Sequence, residues 1–307
     1  MDNLTHTLTG LVVARAGIGQ LSPGATLAVV LASNLPDADL LFSLNGSAAY
    51  LEHHRDLSHS LVAAPVLAVA LAGALCVFKK DARILPIFLA SLLAVAVHVF
   101  MDLWTSYGTR VLAPFDPTFY TWDLVFIVDP WLLLLLLASV LIAGRVAQAS
   151  RVASLALGLM LAYVGGRAIL HARALEEGLA RVPTGPASVL RAAALPSPLD
   201  PRSWRFLADT GAVYLTGDLR LGAAATPLRR REKRPETPAV AHVRESSAVA
   251  GIFLRFSSFP WLEVSETAEG TLVSWTDLRF EQPERDNFVA RVVVDKNGRV
   301  TRESFHF

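Results

Sequence analysis

Cysteine is nearly absent: Cys76 stands alone inside an apolar run, so neither a disulfide framework nor a thiolate metal site can be built. Charge is scarce too, at 18% of the 307 residues, against about 25% in an ordinary soluble domain. The 28 basic and 27 acidic side chains nearly cancel to +1, which excludes a global basic field for nucleic acid, and none is expected as a partner. The start carries Asp2 where a secretory signal has basic residues, and no small-residue cleavage site follows a compact apolar core, so a cleaved signal is not expected. What fills the sequence is apolar side chain, 53% of residues, with a mean hydropathy of +0.43. That composition points to the lipid bilayer.

Four stretches approach the roughly 17 to 25 mostly apolar residues that cross a bilayer: 60–78, 84–103, 124–144 and 152–171. In the last, Arg167 lies near one end, where an arginine snorkels to the headgroups. Residues 4–34 are apolar but broken by Gly17, Gly19, Pro23 and Gly24, which leaves two pieces too short to span and predicts a helical hairpin dipping into the membrane. Trp104, Tyr107, Trp122 and Trp131 read as an interfacial aromatic belt.

Past residue 172 the pattern changes. Residues 173–199 read as a linker and 222–237 as a charged, proline-flanked loop. Alternating runs at 210–221, 251–259, 270–280, 286–295 and 299–307, with Asn297-Gly298 between the last two, predict antiparallel strands, with one helix near 238–249. The expected fold is mostly α: a polytopic membrane helical bundle that carries a metal site over 1–172, then, after the linker, a small antiparallel-β (α+β) soluble domain over 200–307.

Against this apolar background a few ionisable residues recur at short spacings. Ionisable side chains at membrane depth cost several kcal/mol unless paired, ligated or facing water, so such residues mark a site. Pro36 ends a helix and sets Asp37 and Asp39 on the turn beyond it. His54, Arg55 and His59 precede the next apolar run. His98 and Asp102 are four apart on one helix face, a spacing that presents two ligands to one ion. His6 lies just inside the first short helix. Oxygen and imidazole donors without thiolate suit zinc, manganese, iron or nickel. The candidate metal ligands are therefore His6, Asp37, His54, His59, His98 and Asp102, enough for two ions if Asp37 bridges them. Arg55 cannot ligate; its planar fork pairs with a ligand carboxylate or a substrate phosphate. The catalytic candidates are Asp37, Arg55 and Asp39, with Asp123 as a second candidate base beside Asp39.

Singly, each group has an ordinary explanation. His98 and Asp102 can bond two helices together, Asp56 or Ser58 can cap a helix, and Asp37 and Asp39 can solvate a turn. Their joint occurrence favours a site.

Three blocks, NLPDAD at 34–39, HRDLSHS at 54–60 and HVFMD at 98–102 followed by LWTSYG, resemble the YdjM-type inner-membrane proteins over about 1–145. The resemblance implies a membrane-bound metal-dependent hydrolase in the inner (plasma) membrane. A more distant similarity is to the helical zinc-dependent phospholipase C and single-strand nuclease group. It implies that His98 and Asp102 form the helical ligand pair, that Asp37 bridges and that His59 ligates. The departure is a missing N-terminal tryptophan and fewer histidines, which implies one or two ions, zinc first and manganese as the alternative.

Lys79, Lys80 and Arg83 in one loop, and Arg145 and Arg151 in another, place those loops in the cytoplasm. The metal site and the C-terminal domain of a multi-pass protein are then extracytoplasmic. The function expected is hydrolysis of a phosphoester or other ester, possible substrates including a lipid-borne one at the membrane surface. The competing class is a non-enzymatic membrane protein, transporter-like or an anchored scaffold, with a structural polar cluster.

Overall fold

The computed structural model describes residues 1–183, 188–282 and 287–307. In chain order its helices are α1 (Asn3–Arg15), α2 (Ala25–Ala32), α3 (Ser47–His53), α4 (Ala63–Phe78), α5 (Ile84–Leu103), α6 (Pro130–Ala143), α7 (Ala149–Ala180), α8 (Pro238–Ser246) and α9 (Ala248–Phe256). Its strands are β1 (Arg191–Pro196), β2 (Ser203–Asp209), β3 (Val213–Arg220), β4 (Arg229–Glu232), β5 (Pro260–Thr267), β6 (Gly270–Asp277), β7 (Val289–Val294) and β8 (Val300–His306). An N-terminal helical region is thus followed by antiparallel sheets, as expected. Two compact units divide the chain.

The first unit comprises Met1–Asp39, Arg55–Ala174 and Leu195–Trp204. Asp2 caps α1 by accepting from the Thr5 N–H at 3.0 Å. The chain then turns through Gly17 and Gly24, both at positive φ, into α2, which gives the expected hairpin of two short helices. Gly10 lets α1 and α2 meet: a Cβ there would lie 2.5 Å from Ser33 Oγ. Small side chains, Ala14, Ala32, Ala90 and Ala94 with Val29 and Val95, fill the core between α1, α2, α4 and α5. A second cluster joins Leu8, Val12, Met101, Trp104, Leu124, Val125, Leu132 and Val164.

Among the described residues two helices, α5 and α7, are long and apolar enough to cross a membrane, or up to four spans if each bent pair counts as one. The pairs are Ala25–Ala32 with Pro36–Asn45, bent by 45°, and Ser47–His59 with Ala63–Phe78, bent by 80°. The expected span at 124–144 is shorter than it reads. Asp129 caps α6 and Pro130 takes its first turn, so helix begins only there. Its 14 residues rise about 21 Å, less than the roughly 30 Å of a bilayer core. Arg167 does not snorkel, being 2% exposed. Of the supposed aromatic belt, Trp122 and Trp131 are exposed, whereas Trp104 and Tyr107 are buried.

The second unit comprises Leu40–His54, Leu175–Ala194 and Arg205–Phe307. The 173–199 stretch is more than a connector, since α7 runs on to Ala180 and β1 follows. One sheet has the order β1-β2-β3-β4 and the other β5-β6-β7-β8. In the second sheet each neighbouring pair is antiparallel, with Val273 facing Val264 on one side and Val292 on the other. The expected strands at 210–221, 270–280 and 299–307 form, and so does the one at 289–294; residue 286, where that run starts, lies outside the described residues. The Asn297-Gly298 turn joins the last two, with Gly298 at φ 77°.

Two expectations here are corrected. Residues 251–259 are largely helix: Val249, Ala250, Phe253 and Phe256 bury one face at helical spacing, and Ser247 caps it by accepting from Ala250 N–H at 3.1 Å. The charged 222–237 loop contains β4, an edge strand whose arginines pair in register with β3. Within this unit α3 packs on α9 and β8. Ser47 Oγ donates to the Phe305 carbonyl at 2.6 Å, and Glu52 pairs with Arg255 at 3.1 Å.

Candidate metal centre

Three chain segments of the first unit deliver the site. Helix α5 presents His98 and Asp102 from successive turns, both buried. The tight 3-10 turn that opens at Pro36 buries Asp37 and Asp39. The short turn Leu57–His59 buries His59 completely. Into it leads Arg55 at φ 60°, a left-handed conformation that a non-glycine residue holds only where its surroundings impose it. Here its N–H donates to Asp39 Oδ2 at 3.0 Å and its carbonyl accepts from Arg110 N–H at 2.9 Å.

One donor atom each from Asp37, His59, His98 and Asp102 lies within 4.8 Å of every other, and all four residues are buried. His59 Nε2 is 3.3 Å from Asp37 Oδ1, 3.2 Å from Asp102 Oδ2 and 3.1 Å from His98 Nε2. His98 Nε2 is 3.4 Å from Asp102 Oδ2 and 3.7 Å from Asp37 Oδ1. A tetrahedron with metal bonds of about 2.0–2.1 Å has edges of roughly 3.3–3.4 Å, so these separations match a ligand shell in scale.

Hydrogen bonding decides what the cluster wants. His98 Nδ1 faces the Ser33 carbonyl at 2.8 Å, an acceptor only, so Nδ1 carries the hydrogen and Nε2 the lone pair. His59 Nδ1 lies 3.1 Å from Asp39 Oδ2 and 2.9 Å from Ser58 Oγ, whose own hydrogen goes to Asp39 at 2.7 Å. Its Nδ1 is therefore the donor and its Nε2 carries the lone pair. Two imidazole lone pairs and two carboxylate oxygens then converge with no hydrogen to share. Asp37 Oδ2 and Asp102 Oδ2 are buried without a hydrogen-bond partner. Such an arrangement is stable around a cation, and backbone or carboxylate acceptors behind ligating histidines are the usual support of metal sites. The residues present fit a divalent metal ion.

The other oxygen of Asp102 is held separately. Arg55 Nη2 approaches Oδ1 at 3.0 Å and His6 Nε2 at 3.3 Å, and the Met1 amine donates to it. Arg55 Nη1 donates to Thr105 Oγ1 at 3.0 Å, and the guanidinium lies 4.9 Å from the centre of the Tyr107 ring. The arginine thus pairs with the carboxylate of a candidate ligand, the first of its two expected roles.

Four of the six expected ligands form one set. Asp37, His59, His98 and Asp102 come together. His6 stands outside this four-atom set, stacked on the His98 ring at 3.8 Å. His54 follows α3 in the second unit, buried and stacked on Tyr50 at 4.6 Å. Asp39 sits behind His59. Asp123 lies in the loop before α6, where it accepts from Thr121 Oγ1 at 3.3 Å. Ser58 does not cap its helix but serves Asp39. Sequence reasoning misses Thr105, Tyr107 and the Ser33 carbonyl. A backbone oxygen leaves no trace in a sequence, Tyr107 reads as part of the interfacial aromatic belt, and Thr105 is not singled out within the LWTSYG block.

A family model described as YdjM inner membrane protein matches residues 1–174, and one described as YfhP C-terminal alpha/beta plait domain matches 238–307. The chain belongs to the YdjM inner membrane protein family. It is 27% identical over 308 residues to the "Uncharacterized protein YfhP" of Bacillus subtilis (strain 168), covering 96% of this chain and 91% of that protein. No solved structure matches it.

Proposed function

We propose that this inner-membrane protein is a metal-dependent hydrolase acting on a phosphoester or other ester at the membrane surface. The observation that carries the reading is the donor set, two imidazoles and two carboxylates with no thiolate. Structural zinc sites are built largely from cysteine, whereas hydrolytic ones use histidine and carboxylate. Zinc is the first candidate and manganese the second.

In this reading His59, His98, Asp37 and Asp102 hold the ion. When bound, it supplies a Lewis acid for a phosphoryl or acyl oxygen and lowers the pKa of water toward about 7. The chain does the rest. The Ser33 carbonyl and Asp39 orient the two histidines, and Arg55 fixes Asp102, so Asp39 and Arg55 are positioning residues. Asp37 Oδ2, buried and unpartnered, is the oxygen able to take a proton from the attacking water. The loop-charge bias supports a multi-pass topology with this centre extracytoplasmic.

The burial of all four donors favours a second reading, a scaffold whose metal ties α5 to the two turns without chemistry. Elemental analysis of the purified full chain beside His98→Ala, followed by a panel of phosphoesters and lipid esters with and without chelator, separates the two. Metal lost in the variant together with chelator-sensitive hydrolysis supports the enzyme. Metal lost with no hydrolysis of any ester supports the scaffold, and metal content indifferent to His98 overturns both.

A further inference from the structure

A second buried polar cluster lies within the first unit, on α7. Arg167 is 2% exposed in the middle of an apolar helix. Its Nε donates to the Leu124 carbonyl at 2.8 Å and its Nη1 to the Pro201 carbonyl at 2.6 Å, while its Cζ lies 4.3 Å from the centre of the Trp204 ring. Among the described residues no carboxylate pairs with it. Of the nearby acids, Asp123 acts on His171 and accepts from Thr121 Oγ1 at 3.3 Å, and the other two are committed elsewhere. Asp129 caps α6 and accepts from Tyr163 at 3.0 Å, and Asp200 accepts from Ser203 Oγ at 2.8 Å and from the Arg202 N–H at 3.0 Å. A buried guanidinium without an anion carries a desolvation cost of several kcal/mol that carbonyl dipoles offset only in part.

Three nitrogens around this charge are buried and have no partner: Arg167 Nη2, Trp204 Nε1 and His171 Nε2. His171 is one helical turn beyond Arg167, and its ring lies 5.6 Å from that of Trp204. The indole nitrogen is only ever a donor, the guanidinium likewise, and the imidazole nitrogen is a donor in one tautomer. One full positive charge and up to three hydrogens thus lie around the Trp204 ring.

We propose that Arg167, His171 and Trp204 form an anion site for a phosphate group, taken from a lipid headgroup or from free phosphate. A tetrahedral oxyanion has acceptor oxygens for all three nitrogens and the charge that Arg167 lacks. The site is separate from the metal donors and does not rest on the hydrolase reading.

The test uses the full chain in uncharged detergent. Binding is titrated in one arm with inorganic phosphate and in the other with dioleoyl phosphatidic acid against dioleoylglycerol, which has the same tails and no phosphate. Saturable binding of phosphate, or of phosphatidic acid and not dioleoylglycerol, is expected, and the arm that saturates identifies the source. Arg167→Gln should weaken it by roughly 10- to 100-fold. Trp204→Phe keeps an aromatic face under the guanidinium but loses the indole N–H, and it and His171→Ala should each weaken binding about 3- to 10-fold. Metal content should be unchanged in both. If Arg167→Gln fails to fold, these two variants decide. The proposal is overturned if neither probe saturates on the wild-type chain, or if both Trp204→Phe and His171→Ala bind as the wild type does; the unpartnered nitrogens then hold water.

Discussion

Around His59 and His98 the chain gathers lone pairs with too few hydrogens to share; around Arg167 it gathers hydrogens with too few lone pairs. Both clusters are buried in the same unit, both are backed by main-chain carbonyls, and each has atoms left without a partner. The sign of the surplus differs. A converging set of acceptors calls for a cation, and a converging set of donors calls for an anion. A buried polar group is therefore best read by what it still lacks, since an isolated histidine or arginine in a membrane helix says only that something is needed.

The largest effect should come from removing the residue on which most of the first cluster depends. Asp102→Ala takes away one of the four converging donors and leaves Arg55 buried without its carboxylate partner. Bound metal should fall to background, and stability should drop by about 3–5 kcal/mol, the usual consequence of breaking a buried pair from one side. Elemental analysis and thermal unfolding in detergent check the two parts. Trp204→Phe provides the contrast, with metal retained. If Asp102→Ala kept its metal, or Trp204→Phe lost it, the two clusters would not be independent devices of opposite sign.

A smaller effect is expected behind the ligands. Asp39→Asn preserves shape but replaces the carboxylate that receives the His59 Nδ1 hydrogen, 3.1 Å away. The amide can turn its own hydrogens toward that nitrogen and favour the wrong tautomer. Metal affinity should fall about 10- to 100-fold, with full occupancy restored at excess metal, as read by competition with a chromophoric chelator. Loss of stoichiometry at saturating metal would make Asp39 a ligand in its own right. Unchanged affinity would remove it from the site.

Much of the acceptor cluster and of the fold is legible in the sequence. His98 and Asp102 announce themselves by helical spacing, Asp37 by the proline in front of it, which opens its 3-10 turn after α2 has ended at Ala32, and the late strands by alternation and an Asn-Gly turn. Where the sequence misleads, the causes are physical. Hydropathy runs on from Leu124 into α6 because it does not register that Asp129 and Pro130 start the helix. Residues 251–259 alternate well enough to pass for a strand, although Ser247 and the Phe253–Phe256 spacing belong to a helix. Arg167 reads as a headgroup residue because snorkelling is the ordinary fate of such a side chain; the carbonyls of Leu124 and Pro201 that hold it inside come from distant chain segments. Which of six plausible ligands share an ion depends on tertiary contacts, and spacing along the chain settles that only for the pair on one helix.

The smallest effect tests whether helix spacing itself tunes the cluster. Gly10 lies where a Cβ would stand 2.5 Å from Ser33 Oγ and 3.0 Å from Ser33 Cβ. Ser33 Oγ is in turn anchored to the Val29 carbonyl at 2.8 Å, so it cannot swing away freely. Gly10→Ala should push Ser33 off its position, costing about 1–3 kcal/mol for the added bulk. Because the Ser33 carbonyl aligns His98, metal affinity should fall with it, by less than in Asp39→Asn. Adding Ser33→Ala keeps the carbonyl and deletes the hydroxyl that the new methyl meets, so the double variant should recover part of both losses. That non-additivity, measured as a double-mutant cycle on unfolding and on metal affinity, distinguishes a clash relayed to His98 from a general loosening of the helix pair. Additive losses would mean that the spacing of α1 and α2 bears on stability alone, and that the acceptor cluster is set by α5 and its two turns.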